Sequence, residues 1–264
     1  MRRRPWRVCY HSAEEMPEVE DATARIVIAS PPFTNSPDGK SLDKADYLRF
    51  IQVVFSEACR VLSANGVLVT VNTDLRDHAR YNRGDRRFDG LLWQKHCDLR
   101  AVAESVGFLC VDTKIWVKSL KRNLYRYAFA YVQIFKKDSR TRYATVRLRT
   151  REEFGPDVWV LDRGTHRQQS RGPVFRDAIH PGIVERCLEQ FTRSGDLIVS
   201  PFAGSGTVLS VANLMGRRSI GYEINTELRP LIEASISVPE QFPAYVGCLT
   251  RYGKVSRRCK RRTD

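Results

Sequence analysis

The stretch Asp196-Leu197-Ile198-Val199-Ser200-Pro201-Phe202-Ala203-Gly204-Ser205-Gly206-Thr207 decides the fold. Its apolar first half reads as a buried strand ending at Ser200, and Thr207 to Met215 reads as a helix, so the chain must reverse within Pro201–Gly206. Gly204 and Gly206 lack Cβ atoms, which suits a tight bend or a close backbone approach to a ligand. A further strand, Arg218 to Tyr222, then leads into Glu223-Ile224-Asn225. In an open α/β sheet a carboxylate at that carboxyl end accepts hydrogen bonds from both hydroxyls of a ribose. The unit predicts an α/β, Rossmann-like doubly wound sheet with a nucleoside-type ligand at its glycine turn.

The rest of the chain extends the alternation. Ile26 to Ala29 reads as a buried strand, and Ala45 to Leu62 as an amphipathic helix with Tyr47, Phe50, Ile51, Val54, Phe55, Ala58 and Val61 at helical spacing, closed by Asn65-Gly66. Gly66 to Val71 reads as a strand, and Leu91 to Val106 as a helix closed by Gly107. Phe108 to Val117 and Tyr125 to Phe135 predict an antiparallel pair, since the second alternates Tyr125, Tyr127, Phe129 and Tyr131 with smaller residues. Periodicity fades between Lys136 and Asp177, which reads as an irregular basic insert. A helix from Ile183 to Phe191 precedes the deciding stretch, and another from Thr226 to Ile236 follows it.

Charge is concentrated. Residues 1–7 carry four Arg and residues 251–262 seven Lys or Arg, with no acid in either, while residues 114–151 hold twelve Lys or Arg against Asp138 alone. These stretches outweigh the net charge of +14, so the remainder is net acidic. Such segregation is the footprint of a polyanion-binding surface. The seven Cys include no Cys-x-x-Cys pair, so neither a disulfide framework nor a metal site is expected. Apolar runs such as Gly66 to Val71 stop far short of the roughly 18 residues of a membrane span, and the Arg-rich start is not followed by an apolar signal region. A cytoplasmic protein is the expectation. One domain over residues 1–250 with a basic tail at 251–264 accounts for the organisation.

A second short loop, Ser30-Pro31-Pro32-Phe33, follows the strand Ile26-Val27-Ile28-Ala29. With the glycine loop far downstream of it, the chain resembles the β group of DNA amino-methyltransferases, in which the catalytic loop precedes the cofactor loop. Further matches lie in the family's order: Arg60-Val61-Leu62 with Gly66-Val67-Leu68-Val69, Gly107-Phe108 with Ile115-Trp116-Val117-Lys118, Asp157-Val158-Trp159, and His180-Pro181 through Glu185-Arg186. The resemblance implies S-adenosylmethionine as cofactor and double-stranded DNA as partner, and it admits a cognate restriction endonuclease as companion. It also implies that Lys136 to Asp177 is the target-recognition segment. Oligomeric state is not legible.

On that resemblance Ser30, Pro31, Pro32 and Phe33 form the catalytic set. A target amino group on a base lies inside the duplex and must be extruded. Its lone pair is delocalised into the ring, so Ser30 and the Pro31 carbonyl would accept its hydrogens and favour tetrahedral geometry. The double proline stiffens the loop, and Phe33 offers a stacking face. The cofactor set comprises His180, Pro181, Ser200, Pro201, Phe202, Ala203, Gly204, Ser205, Gly206, Thr207, Glu223 and Asn225. Two departures stand out. Ser200 replaces the family's usual Asp before Pro-Phe, and Tyr10-His11, followed by Ser12, stands where Gly-Asp is usual. Ser200 is expected to bond the glycine loop, and His11 or Ser12 to accept from the cofactor's adenine.

Within the family, Ser at the first catalytic position is similar to enzymes acting on the N4 amino group of cytosine, whereas Asn or Asp is more typical of adenine N6. Methylation at cytosine carbon 5 needs a thiolate nucleophile, and no Cys here follows a proline as that group requires. An RNA amino-methyltransferase and a catalytically weakened DNA-binding relative are the rival readings.

Overall fold

The computed structural model describes residues 5–32, 43–76, 92–118, 128–137, 156–161 and 178–237. Eight strands form one mixed sheet: β1 (Trp6–Cys9), β2 (Ala24–Ala29), β3 (Leu62–Asn72), β6 (Leu109–Val117), β7 (Phe129–Lys136), β8 (Val158–Val160), β9 (Leu197–Ser200) and β10 (Arg218–Tyr222). Their order is β1-β10-β9-β2-β3-β7-β6-β8. Pairing is parallel from β1 to β3, antiparallel for β3·β7 and β7·β6, and parallel again for β6·β8. This is the doubly wound, Rossmann-like α/β architecture with an antiparallel strand pair that the sequence predicts.

Helices cover both faces because the strand residues are apolar on both sides. Helices α1 (Lys44–Val61) and α2 (Lys95–Ser105) bury Ile51, Phe55, Leu99 and Ala103 against Val27, Ala29, Leu68 and Phe135. On the other face α3 (Pro181–Phe191), α4 (Thr207–Leu214) and α5 (Arg229–Ser237) pack Ile183, Leu188, Leu209 and Ile232 against Ile26, Ile28, Val69 and Ile198. The start of α1 is set by Asp43, whose side chain accepts from the Asp46 amide. Near its other end Arg60 reaches back to the Val19 and Met16 carbonyls and to Asp21 and Glu57, tying the connection after β1 to α1.

Several boundaries differ from the sequence reading, each for a local reason. Helix α1 ends at Val61 and the chain enters β3 at once, so Asn65-Gly66 lies inside the strand rather than before it. There β3 bulges, with Ala24 opposite Leu62 but Ile26 opposite Val67, and a Cβ at Gly66 would meet the Ser63 carbonyl at 2.8 Å. Leu92–Trp93 (β5) pairs with Leu75–Arg76 (β4), which delays α2 to Lys95. A 3-10 turn, Thr226–Leu228, precedes α5 because the Asn225 side chain accepts from Glu227 N. The basic insert is not wholly irregular: Val158–Val160 forms an edge strand with Trp159 buried between two exposed valines. Strand β1, pairing Trp6 through Cys9 with Ser219 through Tyr222, also goes beyond the sequence reading. Tyr125, Tyr127, the remainder of the insert and the tail 251–264 lie outside the described residues.

The packing of α4 on α5 depends on Gly206. It sits at φ +80°, and a Cβ there would lie 2.6 Å from Ser235 Oγ and 3.2 Å from Ile232 Cα. Gly206→Ala is therefore expected to destabilise the fold by at least about 1–3 kcal/mol, since both backbone strain and overpacking act together; urea unfolding midpoints measure it.

Candidate active site

The order of the sheet brings the two loops together. From β2 the chain turns through α1 to β3 on one side, and from β9 it turns through α4 to β10 on the other. The strands β2 and β9 are neighbours, with Ile26 opposite Ile198 and Val27 opposite Val199. Ser30-Pro31-Pro32 and Pro201–Gly206 thus leave the same edge of adjacent parallel strands at the topological switch point, where open α/β sheets bind ligands.

The glycine loop is held by main-chain bonds. Ala203 N donates to Tyr222 O at 2.8 Å, and Gly206 N to Ala203 O at 2.8 Å. Gly204, at φ +54°, donates its amide to Glu223 Oε2 at 2.8 Å, and Asn225 N donates to Glu223 Oε1 at 2.9 Å. Each Glu223 oxygen thus has one anchoring amide and a second lone-pair direction left over. Glu223 N in turn donates to Cys9 O at 3.0 Å, so β1 fixes the carboxylate's backbone. Asn225 is spent on the Glu227 amide. Ser205 and Thr207 bond each other through their hydroxyls at 2.9 Å. The buried Ser200 reaches the Phe202 carbonyl at a long 3.4 Å, and the Phe202 ring lies against Phe50 of α1. Pro201 and Ala203 are buried.

On the other loop Ser30 is half-buried, Pro31 buried and Pro32 exposed. Phe33 lies outside the described residues. Beneath the loop are two groups that sequence reasoning missed. Lys95, only 1% exposed at the first turn of α2, donates from Nζ to Pro32 O at 2.8 Å and approaches Pro31 O at 3.5 Å. Tyr47 OH donates to the same Pro32 O at 3.0 Å, and its ring lies 4.7 Å from the Lys95 ammonium. Burial pushes the Lys95 amine down to about 7. A lysine two residues after Trp93 carries no periodic signal of its own; only the fold brings it under the loop. Nearby, His96 pairs with the buried Asp74 at 2.6 Å and stacks on Tyr131.

His180 and Pro181 start α3: His180 Nδ1 accepts from Gly182 N at 3.0 Å, and Pro181 occupies the first turn. Past β1, the Ser12 hydroxyl donates to Glu14 at 2.8 Å. His11 places Nδ1 2.9 Å from the Ser12 carbonyl and Nε2 3.1 Å from Glu18 Oε1. Both ring nitrogens thus face oxygen atoms of the connection after β1. Ligand atoms of Cys9, His11 and Glu18 fall within 4.8 Å of one another, but Glu18 already accepts from Tyr222 OH and His11 and faces Arg7, so hydrogen bonding accounts for the cluster. The Tyr10 hydroxyl is buried without a partner among the described residues, and its ring lies 4.2 Å from the Arg229 guanidinium.

This combination of a Rossmann-like sheet, a glycine loop clasped by a strand-end carboxylate and a double-proline loop beside it defines a class of nucleoside-cofactor transferases. The family model N6_N4_Mtase, described as DNA methylase, matches residues 24–234, and the chain belongs to that family. It is similar to the Type II methyltransferase M.MjaI of Methanocaldococcus jannaschii, 25% identical over 89% of this chain and 92% of the relative. The Type II methyltransferase M.MthZI of Methanothermobacter thermautotrophicus is 22% identical over 88% of this chain and 76% of its own length. Among solved structures, a DNA modification methylase of Thermus thermophilus complexed with S-adenosyl-L-methionine superposes with a TM-score of 0.68 at 23% identity, covering 90% and 96% of the two chains. The cytosine-N4-specific PvuII DNA methyltransferase gives 0.64 at 16% identity, covering 88% and 95%. These likenesses show the fold.

The hydrogen bonds to Glu18 and to the Ser12 carbonyl raise the pKa of His11 above its ordinary value. NMR titration of the His11 ring is expected to give a pKa above the unperturbed ~6.5, returning toward it in Glu18→Gln. The stabilisation that this pair contributes is present at pH below the ordinary histidine value and is lost as pH rises through the raised one.

Proposed function

We propose that the protein is a DNA (cytosine-N4) methyltransferase using S-adenosylmethionine. The observation that carries the reading is the adjacency of the two loops at the switch point between β2 and β9; in this reading one loop holds the methyl donor and the other the amino group. The residues fit such a cofactor. Gly204 and Gly206 allow close backbone approach, and among the described residues Glu223 keeps a lone pair on each oxygen for a ribose diol and the buried Tyr10 hydroxyl has no partner. Pro201, Phe202, Ala203, Ser205, Thr207 and Ser200 shape the loop, Asn225 fixes the turn after Glu223, and His180 with Pro181 sets the start of α3. When bound, the cofactor supplies an electrophilic methyl group on a sulfonium.

The protein's own work is positional. Ser30 Oγ and the Pro31 carbonyl accept the two hydrogens of an extruded base's amino group, which pulls its nitrogen toward tetrahedral geometry and turns the lone pair toward the glycine loop. Phe33 stacks on the base. Ser30 selects the cytosine amino group. Residues 136–177 read the target sequence and the basic tail 251–264 holds phosphates without reading bases, within one catalytic domain spanning residues 1–250. The reading admits an endonuclease of the same specificity as a companion.

Two substitutions separate the roles. Ser30→Ala is expected to lower kcat by about 10²-fold or more, the scale for a positioned group acting on a reacting proton, with cofactor affinity unchanged. Glu223→Ala is expected instead to weaken cofactor binding by about 1.5–3 kcal/mol, the cost of a lost charged hydrogen bond, in calorimetry. If Ser30→Ala lost cofactor affinity as well, this division would fail.

Product identity tests the function itself. Nucleoside mass analysis of duplex DNA after incubation with protein and S-adenosylmethionine is expected to show N4-methylcytosine. N6-methyladenine would move the target base and keep the mechanism, whereas 5-methylcytosine would overturn both. Methylation of structured RNA in preference to DNA would transfer the chemistry to the other polymer, and no methylated base in either would leave a DNA-binding relative.

A further inference from the structure

A lysine with 1% of its surface exposed is costly unless its charge is used. Lys95 sits beneath a loop whose two prolines bring carbonyls without N–H donors, and its ammonium and the Tyr47 hydroxyl both point at one of them: Pro32 O accepts from Lys95 Nζ at 2.8 Å and from Tyr47 OH at 3.0 Å. A carbonyl has two lone pairs, so Pro32 is saturated. Pro31 O has Lys95 Nζ only at 3.5 Å, the outer limit of a hydrogen bond, and keeps accepting capacity.

We propose that Lys95, with Tyr47, is a positioning residue that saturates the Pro32 carbonyl, locks the double-proline loop from below and leaves the Pro31 carbonyl to receive the amino group of the target base. The inference rests on the reading of Ser30-Pro31-Pro32 as the catalytic loop and deepens it. Two independent donors on one carbonyl fix both the peptide plane after Pro32 and, through the rigid proline ring, the direction of the Pro31 carbonyl. An error of about 1 Å in such placement is worth roughly 10²-fold in rate. Among the described residues, the titratable groups on the elements around Lys95 are otherwise engaged: Asp98 of α2 bonds Lys44 and Trp93, and Asp74 after β3 bonds His96. Tyr47 faces the ammonium with its ring.

The test is Lys95→Met, which keeps the length and apolar stem and deletes the donor. Tyr47 still serves Pro32 O in that variant, so no acceptor is orphaned and the fold is expected to persist. Steady-state methylation should show kcat lowered about 10- to 100-fold, with KM for S-adenosylmethionine and for DNA within a few-fold of wild type. Stability should move the other way. A lysine lowered to about 7 in the folded state binds fewer protons there than in the unfolded chain, so the wild type gains stability as pH rises above 7. Lys95→Met should lose that pH dependence between about pH 7 and 9 and melt no lower than wild type at neutral pH. Tyr47→Phe should lower kcat too, and the double variant should depart from additivity, since both donors act on one carbonyl.

A wild-type kcat in Lys95→Met, or a loss explained by a lower melting temperature, would overturn the proposal. So would a rise in KM for the cofactor with kcat intact, or strict additivity with Tyr47→Phe. Failure of the underlying reading is distinguishable: full activity in Ser30→Ala would remove the catalytic loop itself, whatever Lys95→Met does.

Discussion

The parallel pairing of β2 with β9 is the constraint on which everything else depends. It is short, two registered pairs, Ile26 with Ile198 and Val27 with Val199, and all four residues are fully buried. Apolar side chains on both faces commit these strands to the middle of the sheet, where helices must cover each side. Once they are neighbours, the right-handed crossovers through α1 and α4 carry the chain in opposite directions. A crevice then opens between the two loops without further instruction. The two loops are brought side by side by topology before any polar contact is made.

Polar groups refine that placement by linking elements distant in sequence. Glu223 accepts from the Gly204 amide through its carboxylate and donates its own amide to the Cys9 carbonyl, so one residue links the glycine loop, the end of β10 and β1. Glu18 joins the β1 connection to Tyr222, and Arg60 joins the same connection to α1. Each carboxylate or guanidinium here is at least partly withdrawn from water and meets several partners. A charged hydrogen bond of this kind contributes more than a surface pair, and losing one partner leaves the other uncompensated.

What the sequence made legible follows from the reach of its signals. The strand, glycine turn and helix from Asp196 to Met215, and the strand ending in Glu223, are contiguous; their apolar runs and punctuation fall within one window, and their boundaries hold to within a residue. Short or two-sided features escape such a reading. Trp6–Cys9 is only four residues long and carries Arg7 beside an Arg-rich flank, and Val158–Val160 shows its strand nature only through Trp159. Asn65-Gly66 is a strong turn signal that tertiary pairing absorbed as a bulge. That Glu18, seven residues on, folds against the His11 ring is likewise outside the reach of a local reading.

Lys95 marks the limit of such reading most clearly. In the sequence it is one of many basic residues in a strongly basic chain, and it lies outside the three basic runs, so charge counting gives it no role. The fold does the reverse: α2 begins at this residue, after the β4·β5 ladder has set its entry, so the side chain enters the protein beneath the double-proline loop. A charge count treats all cations alike, whereas burial sorts them. Those left on the surface attract phosphate and are screened by salt. Lys95, taken inside, acts over a few ångströms on a carbonyl dipole, where salt has little influence and geometry decides.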